Sequence, residues 1–413
     1  MLIRISTVAF VAALMTAPPP PSKYLYVWTA SADSTAPDFL AVFDIEPKGD
    51  RYGRLVTTVP VPGRANMPHH TEHALADDDR LFANGFGSGQ TFIFDLTNPA
   101  RPKLDGQFGN VGPMMHPHSF VRLPGGNVLA TYQMQHDSAG IAPGGLAEIT
   151  PRGQVVRSAS ANGPGANRRV RPYSAAIVPE LDRIVVTTTD MATEDSIGVV
   201  QIWRLSDLAL LHSFDLPVGP NGEGYNTAEP RVLRDGKTVL VSTFNCGLFR
   251  LDGIATAAPR GRMVASFARK SGTNCAIPVV AGRFYLVTVP SGNAVVSLDV
   301  SDPDRPREVS RVRLGASDVP HWISLEPNTE RVVITGYQGM ENRVVMARFD
   351  SATGALSIDQ RFRAVGSAEP GFRLGPAVPH GAVFSRPPVV AARAGGGGAG
   401  PSLALHPADD PRR

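Results

Sequence analysis

An internal repeat limits the folds that this chain can adopt. The segment TFIFDLTNPARPKLDGQF at 91–108 aligns with AVVSLDVSDPDRPREVSRV at 294–312. In both segments an apolar strand ends at an Asp, a turn containing Arg-Pro follows, and a second strand begins. Repetition of one supersecondary unit indicates an architecture in which neighbouring units pack on one another to bury their apolar faces.

The same unit recurs along the chain and begins each time with a short apolar strand. Helical periodicity is almost absent, whereas 41 Gly and 37 Pro residues supply frequent turns, as in all-β proteins. Units of three to four short strands are typical of β-propeller blades. The sequence therefore predicts an all-β, seven-bladed β-propeller, with units that begin at Lys23, Arg80, Asn127, Arg183, Thr238, Arg283 and Arg331.

One further short strand lies between consecutive units, and we assign these strands to the innermost position of each blade, where they line the central channel. They begin at His69, His116, Tyr173, Ala228, Cys275, His321 and His380. The last of them follows the seventh unit and has no later unit to join. We therefore expect this C-terminal strand to close the ring by joining the N-terminal blade.

Histidines open four of the seven innermost strands, although the chain contains only ten. The propeller would bring these residues together at one mouth of the channel, far apart as they are in sequence. Several imidazoles in one place suit a borderline transition metal, and copper, iron and zinc all remain open on the residue types alone. The predicted metal ligands are His69, His70, His118, His321 and His380.

Local sequence refines this set of candidate ligands. His118 is favoured over His116, because Pro117 places the pair on a bend and His118 runs directly into the strand. Neighbouring residues of a regular strand face opposite ways. One of His69 and His70 would therefore point away from the metal, unless the strand is irregular there.

Two other residues near the channel have competing interpretations. Glu229 opens an innermost strand and is the candidate catalytic residue, because it can orient a ligand's second N–H or accept a proton. A salt bridge to Arg231, two residues away, is an equally simple explanation. His73 lies four residues into its strand and is predicted to be structural.

Composition sets further bounds on function. The net charge is +3 over 413 residues, and dispersed Lys and Arg without interleaved aromatic residues argue against nucleic-acid binding. Arg4 followed by a short apolar run predicts a signal peptide over 1–21 and an exported protein, periplasmic or secreted. The run is too short for a membrane span. The propeller is assigned to 22–388, and the Gly/Pro-rich tail 389–413 is predicted to be disordered.

Two cysteines, Cys246 and Cys275, are present. They can pair in an oxidising compartment, or they can remain as two buried thiols.

Long segments of the chain resemble the selenium-binding protein family, whose bacterial members include methanethiol oxidases. The resemblance runs over roughly 23–386 and is carried by HHTEHA, FIFDLTNPARPKL, MHPHSFVRLPGGNVLATY and AEPRVLRDG. It implies a seven-bladed propeller and, for the oxidases, copper held by histidines. The family's motifs include a pair of histidines, which His69 and His70 match, and two single histidines, which His118 and His380 match. Glu229 matches a Glu-x-Arg segment of the family.

The chain also departs from the family pattern. His321 falls where many members have a Gln, so it would be an added ligand. The Cys-rich stretch that follows the paired His in the family reads TEHALADDD here, and selenium binding is therefore not expected. The resemblance implies a copper-dependent oxidase of a small thiol or other sulfur compound. The alternatives are a metal-binding or metal-delivery propeller without turnover, and a protein-interaction scaffold.

Overall fold

The computed structural model of the chain describes residues 20–33, 35–138, 140–163, 170–191, 197–267, 274–327, 329–337 and 341–388. The signal peptide predicted for 1–21 lies outside these residues except at its last two positions. The predicted disordered tail 389–413 lies wholly outside them. No helix in the described part of the chain combines the length and the apolar character needed to cross a membrane.

The described residues form strands that group into blades in chain order. Blade 1 contains β1 Tyr24–Ala30, β2 Phe39–Asp44 and β3 Arg54–Pro60. Blade 2 contains β4 Pro68–Thr71, β5 Arg80–Gly85, β6 Gln90–Asp95 and β7 Lys103–Phe108. Blade 3 contains β8 Met114–Arg122, β9 Val128–Asp137, β10 Gly140–Ile149 and β11 Val155–Ser160. Blade 4 contains β12 Pro172–Val178, β13 Arg183–Thr188, β14 Val199–Arg204 and β15 Leu210–Asp215.

The second half of the chain continues the pattern. Blade 5 contains β16 Thr227–Val232, β17 Val239–Thr243, β18 Gly247–Asp252 and β19 Arg260–Ser266. Blade 6 contains β20 Pro278–Ala281, β21 Phe284–Val289, β22 Ala294–Asp299 and β23 Arg307–Arg313. Blade 7 contains β24 Pro320–Leu325, β25 Arg331–Gly336, β26 Arg343–Phe349, β27 Leu356–Ile358 and β28 Phe372–Arg373, and the final strand is β29 Val378–Phe384. Single 3-10 turns occur at Pro179–Leu181 and Pro290–Gly292.

Each blade is an antiparallel sheet with one edge strand on the channel. These innermost strands are β29, β4, β8, β12, β16, β20 and β24, and each contacts the innermost strand of the next blade until the ring closes. β29 pairs with β1, with Leu25 opposite Phe384 and Tyr26 opposite Val383. The prediction of an all-β, seven-bladed propeller closed by its C-terminal strand is confirmed for the described residues.

The core lies between the blades and follows from the two-residue period of the strands. In β1, Leu25 and Val27 pack towards blade 7, whereas Tyr26 and Trp28 pack towards blade 2. Alternate side chains of one strand thus serve both neighbours. No blade can bury both of its apolar faces alone, so the closed ring is the unit of stability.

Cys246 and Cys275 form a disulfide, which resolves the alternatives left open by the sequence. The bond joins the turn before β18 of blade 5 to the segment that leads into blade 6. β20 begins at Pro278, three residues after the predicted start of this innermost strand. Cys275 is instead held by the disulfide and by its N–H, which donates to the carbonyl of Phe244 at 2.9 Å.

Candidate metal centre

A proline precedes the channel-facing ring in five of the innermost strands. The pairs are Pro68-His69, Pro117-His118, Pro172-Tyr173, Pro320-His321 and Pro379-His380. Strand pairing shifts register directly after each proline. A proline lacks the N–H that a regular ladder needs, and a bulge re-aims the side chains beside it. This local irregularity turns the rings towards the channel.

The structure brings the five predicted ligand histidines together from four blades. Ring centroids lie 4.0 Å apart for His69 and His380, 4.2 Å for His70 and His118, and 4.6 Å for His321 and His380. Potential ligand atoms of His69, His70 and His118 lie within 4.8 Å of one another, as do those of His70, His321 and His380. His69 and His70 both belong to the cluster because the register shift between Pro68 and Thr71 breaks the regular alternation.

Burial keeps these imidazoles neutral. Desolvation lowers the pKa of His118 to about 3 and that of His321 to about 4. Burial also holds the pKa values of His69, His70 and His380 well below the usual range, and the neighbouring rings add to the effect. A neutral imidazole has a free lone pair, which is the form that binds metals.

His118 is fixed in the tautomer that exposes a lone pair at Nε2. Its Nδ1–H donates to the carbonyl of Tyr173 at 2.9 Å, so Nε2 carries no proton. Ser119 Oγ lies 3.1 Å from the same Nδ1 and 2.9 Å from Nδ1 of His70. A ligating histidine in a metal site usually donates its other ring N–H to a carbonyl in this way.

Several ring nitrogens of the cluster lack any hydrogen-bond partner among the described residues. They include both nitrogens of His69 and the Nε2 atoms of His118 and His321. Buried polar atoms without a partner destabilise a fold, and native structures rarely keep them. A metal ion bound by these nitrogens would satisfy them, so the donor set fits a metal such as copper, iron or zinc.

Aromatic side chains enclose the five histidines. Tyr173 lies 3.9 Å from His118 and Tyr337 lies 4.6 Å from His380, measured between ring centroids. Trp322 lies 5.1 Å from His70. Burial and the nearby Glu229 carboxylate raise the pKa of Tyr173 well above its ordinary value.

Sequence reasoning missed Tyr337, Trp322 and Ser119 as neighbours of the site. The Pro-Tyr pair at 172–173 was the available signal for Tyr173, because it repeats the Pro-His pattern of the other innermost strands.

Glu229 lies behind the aromatic side chains that enclose the site rather than among the histidines. Its Oε2 accepts hydrogen bonds from Arg231 at 2.6 Å and from Ser174 Oγ at 2.6 Å. The salt bridge to Arg231, which was the alternative interpretation, is therefore present. Arg231 also donates to Nε2 of His73 at 2.9 Å, and His73 stacks on Trp322 with ring centroids 4.3 Å apart.

A cavity of about 840 Å³ opens at the opposite end of the innermost strands. Apolar side chains such as Leu75, Ile177 and Val279 form most of its wall. The ionisable residues of the lining are Glu72, His73, Asp77, Asp78, Arg122 and Arg231. Because His73 stacks on Trp322, which contacts His70, the cavity and the histidine cluster are separated by one layer of rings.

The chain matches no family model. Over 122 residues it is 37% identical to the methanethiol oxidase of Hyphomicrobium sp, a segment that spans 28% of this chain and 27% of that protein. Over 142 residues it is 30% identical to the methanethiol oxidase of Ruegeria pomeroyi, spanning 32% of this chain and 31% of that protein. The chain therefore matches less than a third of the length of these curated relatives.

Solved structures show the same fold. A hypothetical selenium-binding protein from Sulfolobus tokodaii has a TM-score of 0.71 at 16% identity, covering 89% of this chain and 94% of its own. The periplasmic gluconolactonase of Pseudomonas aeruginosa has a TM-score of 0.63 at 14% identity, covering 88% and 99%. At these identities, structural likeness concerns the propeller fold alone.

The local matches to two methanethiol oxidases confirm the predicted resemblance to the selenium-binding protein family. The structure also shows a structural role for the stretch that replaces the family's Cys-rich segment. Glu72 is buried and accepts hydrogen bonds from Arg122 Nε at 2.6 Å and from the N–H of Phe82 at 3.0 Å. Arg122 also pairs with Asp78 at 3.0 Å. Where the family pattern has thiols, this chain uses carboxylates to join blades 2 and 3.

Proposed function

We propose that this protein is an exported, copper-dependent oxidase of small thiols or related sulfur compounds. The observation that carries the proposal is the cluster of five neutral histidines with unpaired nitrogens in the channel. Local similarity to two methanethiol oxidases supplies the reaction class. A propeller fold alone would not, because propellers host many unrelated functions.

The choice of copper follows from the reaction and the donors together. Imidazole nitrogens accept copper, iron or zinc. Zinc has no redox chemistry under these conditions and cannot accept electrons from a thiol. Copper is favoured over iron by the resemblance to the oxidases. When bound, the metal would supply an electron acceptor for the thiol and a route to oxygen.

The residues of this chain hold and shape the site. His69, His70, His118, His321 and His380 would bind the ion. The carbonyl of Tyr173 orients His118, and Ser119 places its hydroxyl between two of the rings. Within this proposal Glu229 is a positioning residue that fixes Ser174 and Arg231 at the channel wall.

Export is the second part of the proposal. It is supported by the signal-like sequence at the N-terminus and by the Cys246–Cys275 disulfide. Disulfides of this kind persist in the periplasm and outside the cell, where glutathione and thioredoxin do not reduce them.

Oxygen uptake by copper-loaded protein tests the proposed activity. Methanethiol and ethanethiol are supplied as substrates, with dimethyl sulfide as a compound that has no thiol. We expect thiol-dependent uptake that His118→Ala abolishes and that His212→Ala, on the outermost strand β15, leaves intact. Copper-loaded protein that consumes no oxygen with any of these compounds would refute the oxidase and leave a metal-binding propeller without turnover.

A further inference from the structure

Two methionines face each other across the first two strands of blade 3. Met115 of β8 pairs in register with Met134 of β9. Side chains directly opposite in an antiparallel pair start from Cβ atoms about 5 Å apart, so the two thioether sulfurs can reach one ion. Met134 is buried, with 8% exposure, whereas Met115 is half-buried. The pair therefore lies at the border between the blade and solvent.

His116 follows Met115 directly and has a free lone pair. Its Nδ1 lies 3.0 Å from the carbonyl of Phe86 and must be the donor, because a carbonyl only accepts. Nε2 is thus unprotonated in the neutral ring and is available as a ligand. The backbone of His116 is left-handed, with φ 57°, which an ordinary residue adopts only where its surroundings impose it.

One phenylalanine separates this group from the five histidines. The ring of Phe86 lies 5.5 Å from His116, 5.8 Å from His118 and 6.0 Å from His69, between centroids. Met67, half-exposed at 45%, accepts a hydrogen bond from the N–H of Phe86 through its carbonyl. His116 and two of the five histidines thus contact the same phenylalanine ring.

We propose that Met115, Met134 and His116 form an outer site that takes up Cu(I) and passes it to the five-histidine centre. Thioether sulfur is a soft donor and selects Cu(I) over harder divalent ions. The five-histidine centre, with nitrogen donors alone, accepts both oxidation states. The destination of the ion rests on the proposed function, but binding at the outer site does not.

Silver(I), a redox-inert substitute for Cu(I), tests the outer site directly. The full-length protein carries 13C-methyl methionine, and its spectrum is followed as silver nitrate is added. We expect the Met115 and Met134 methyl resonances to shift together, with assignments from Met115→Leu and Met134→Leu. His116→Gln should weaken silver affinity at this site by at least about tenfold. Met263→Leu, on β19, is the matched control and should change neither.

The inference is overturned if the two methyl resonances stay in place throughout the titration, or if only one of them moves. Copper loading then tests the transfer step. In Met115→Leu/Met134→Leu, we expect Cu(I) to reach the histidines more slowly than in the wild type, with the same final occupancy of the five-histidine centre. An unchanged loading rate would overturn the uptake role. Protein whose methionine resonances respond to silver but whose histidines bind no copper would instead refute the proposed function and retain the outer site.

Discussion

At the scale of single residues, Ser119 connects two of the candidate ligands. Its hydroxyl lies 2.9 Å from Nδ1 of His70 and 3.1 Å from Nδ1 of His118. The two rings belong to two neighbouring blades, so one small side chain sets their relative orientation. Loss of a group that orients a metal ligand typically costs about tenfold to a hundredfold in metal affinity.

Ser119→Ala should therefore weaken copper binding by about tenfold to a hundredfold without unfolding the protein. Competition with a copper chelator measures the affinity, and circular dichroism checks the fold. Ser297→Ala is the matched control, because Ser297 is also buried and its hydroxyl has no partner in the described structure. An affinity equal to that of wild type would show that Ser119 does not orient the rings.

The sequence was sufficient to predict which blades contribute histidines to the cluster, because their innermost strands begin with histidine-containing segments. It predicted both His69 and His70 as ligands only on the condition that their strand is irregular. That outcome depends on the register shift between Pro68 and Thr71, which is a property of strand pairing. Trp322 and Tyr337 were missed for a similar reason, since their contacts with the site come from the packing of blade 7 against blades 1 and 2.

At the scale of strands, a repeated hydrogen bond ties neighbouring blades at the channel. A polar side chain on the second strand of one blade donates to a carbonyl on the innermost strand of the next. The pairs are Asn84 with Pro117, Thr131 with Tyr173, Thr187 with Ala228, Thr288 with His321 and Thr335 with His380. These bonds satisfy carbonyls on the free edge of each innermost strand, which have no partner in the β-ladder. They also fix the position of the strands that carry the histidines.

Thr335→Val removes one of these ties at nearly constant shape. The carbonyl of His380 loses a donor at 2.6 Å, so the free energy of unfolding should fall by about 1–3 kcal/mol. Thr91→Val is the control, since Thr91 is also fully buried and its hydroxyl has no partner among the described residues. Urea unfolding measures both variants. Equal free energies of unfolding for Thr335→Val and Thr91→Val would contradict a stabilising role for the hydrogen bond between Thr335 and His380.

Strand positions were well predicted because the apolar repeats mark them directly. The strand that opens each predicted unit, such as β5 and β25, coincides with a segment that the repeat had identified. The late start of β20 was not predicted, because sequence alone left the pairing of Cys246 and Cys275 open. The repeat pattern carries no information about disulfides or strand register between distant segments, so it could not predict these features.

At the scale of the whole molecule, the buried histidines make stability depend on pH. Their pKa values are lowered in the folded state, to about 4 for His321 and about 3 for His118, against about 6.5 in an unfolded chain. Below pH 6.5 the unfolded chain takes up protons that the folded protein does not. Acidification therefore favours unfolding, and the loss continues until the folded pKa values are reached.

Urea unfolding of metal-free protein at pH 7, 6 and 5 measures this effect. The free energy of unfolding should decrease at each step, and His321→Asn should give a shallower decrease because one proton-binding group of the unfolded chain is gone. A free energy that is constant or increases on acidification would contradict the neutral, buried state of the cluster.

Elemental analysis combined with electron paramagnetic resonance tests the central claim most directly. The protein is purified without a metal-affinity column and then titrated with copper. We expect about one copper ion per chain, with nitrogen hyperfine splitting from imidazole ligands. The signal should be lost in His118→Ala and His380→Ala and kept in His212→Ala. Protein that refuses copper, or whose copper signal survives both substitutions, would contradict a metal centre built from converging histidines.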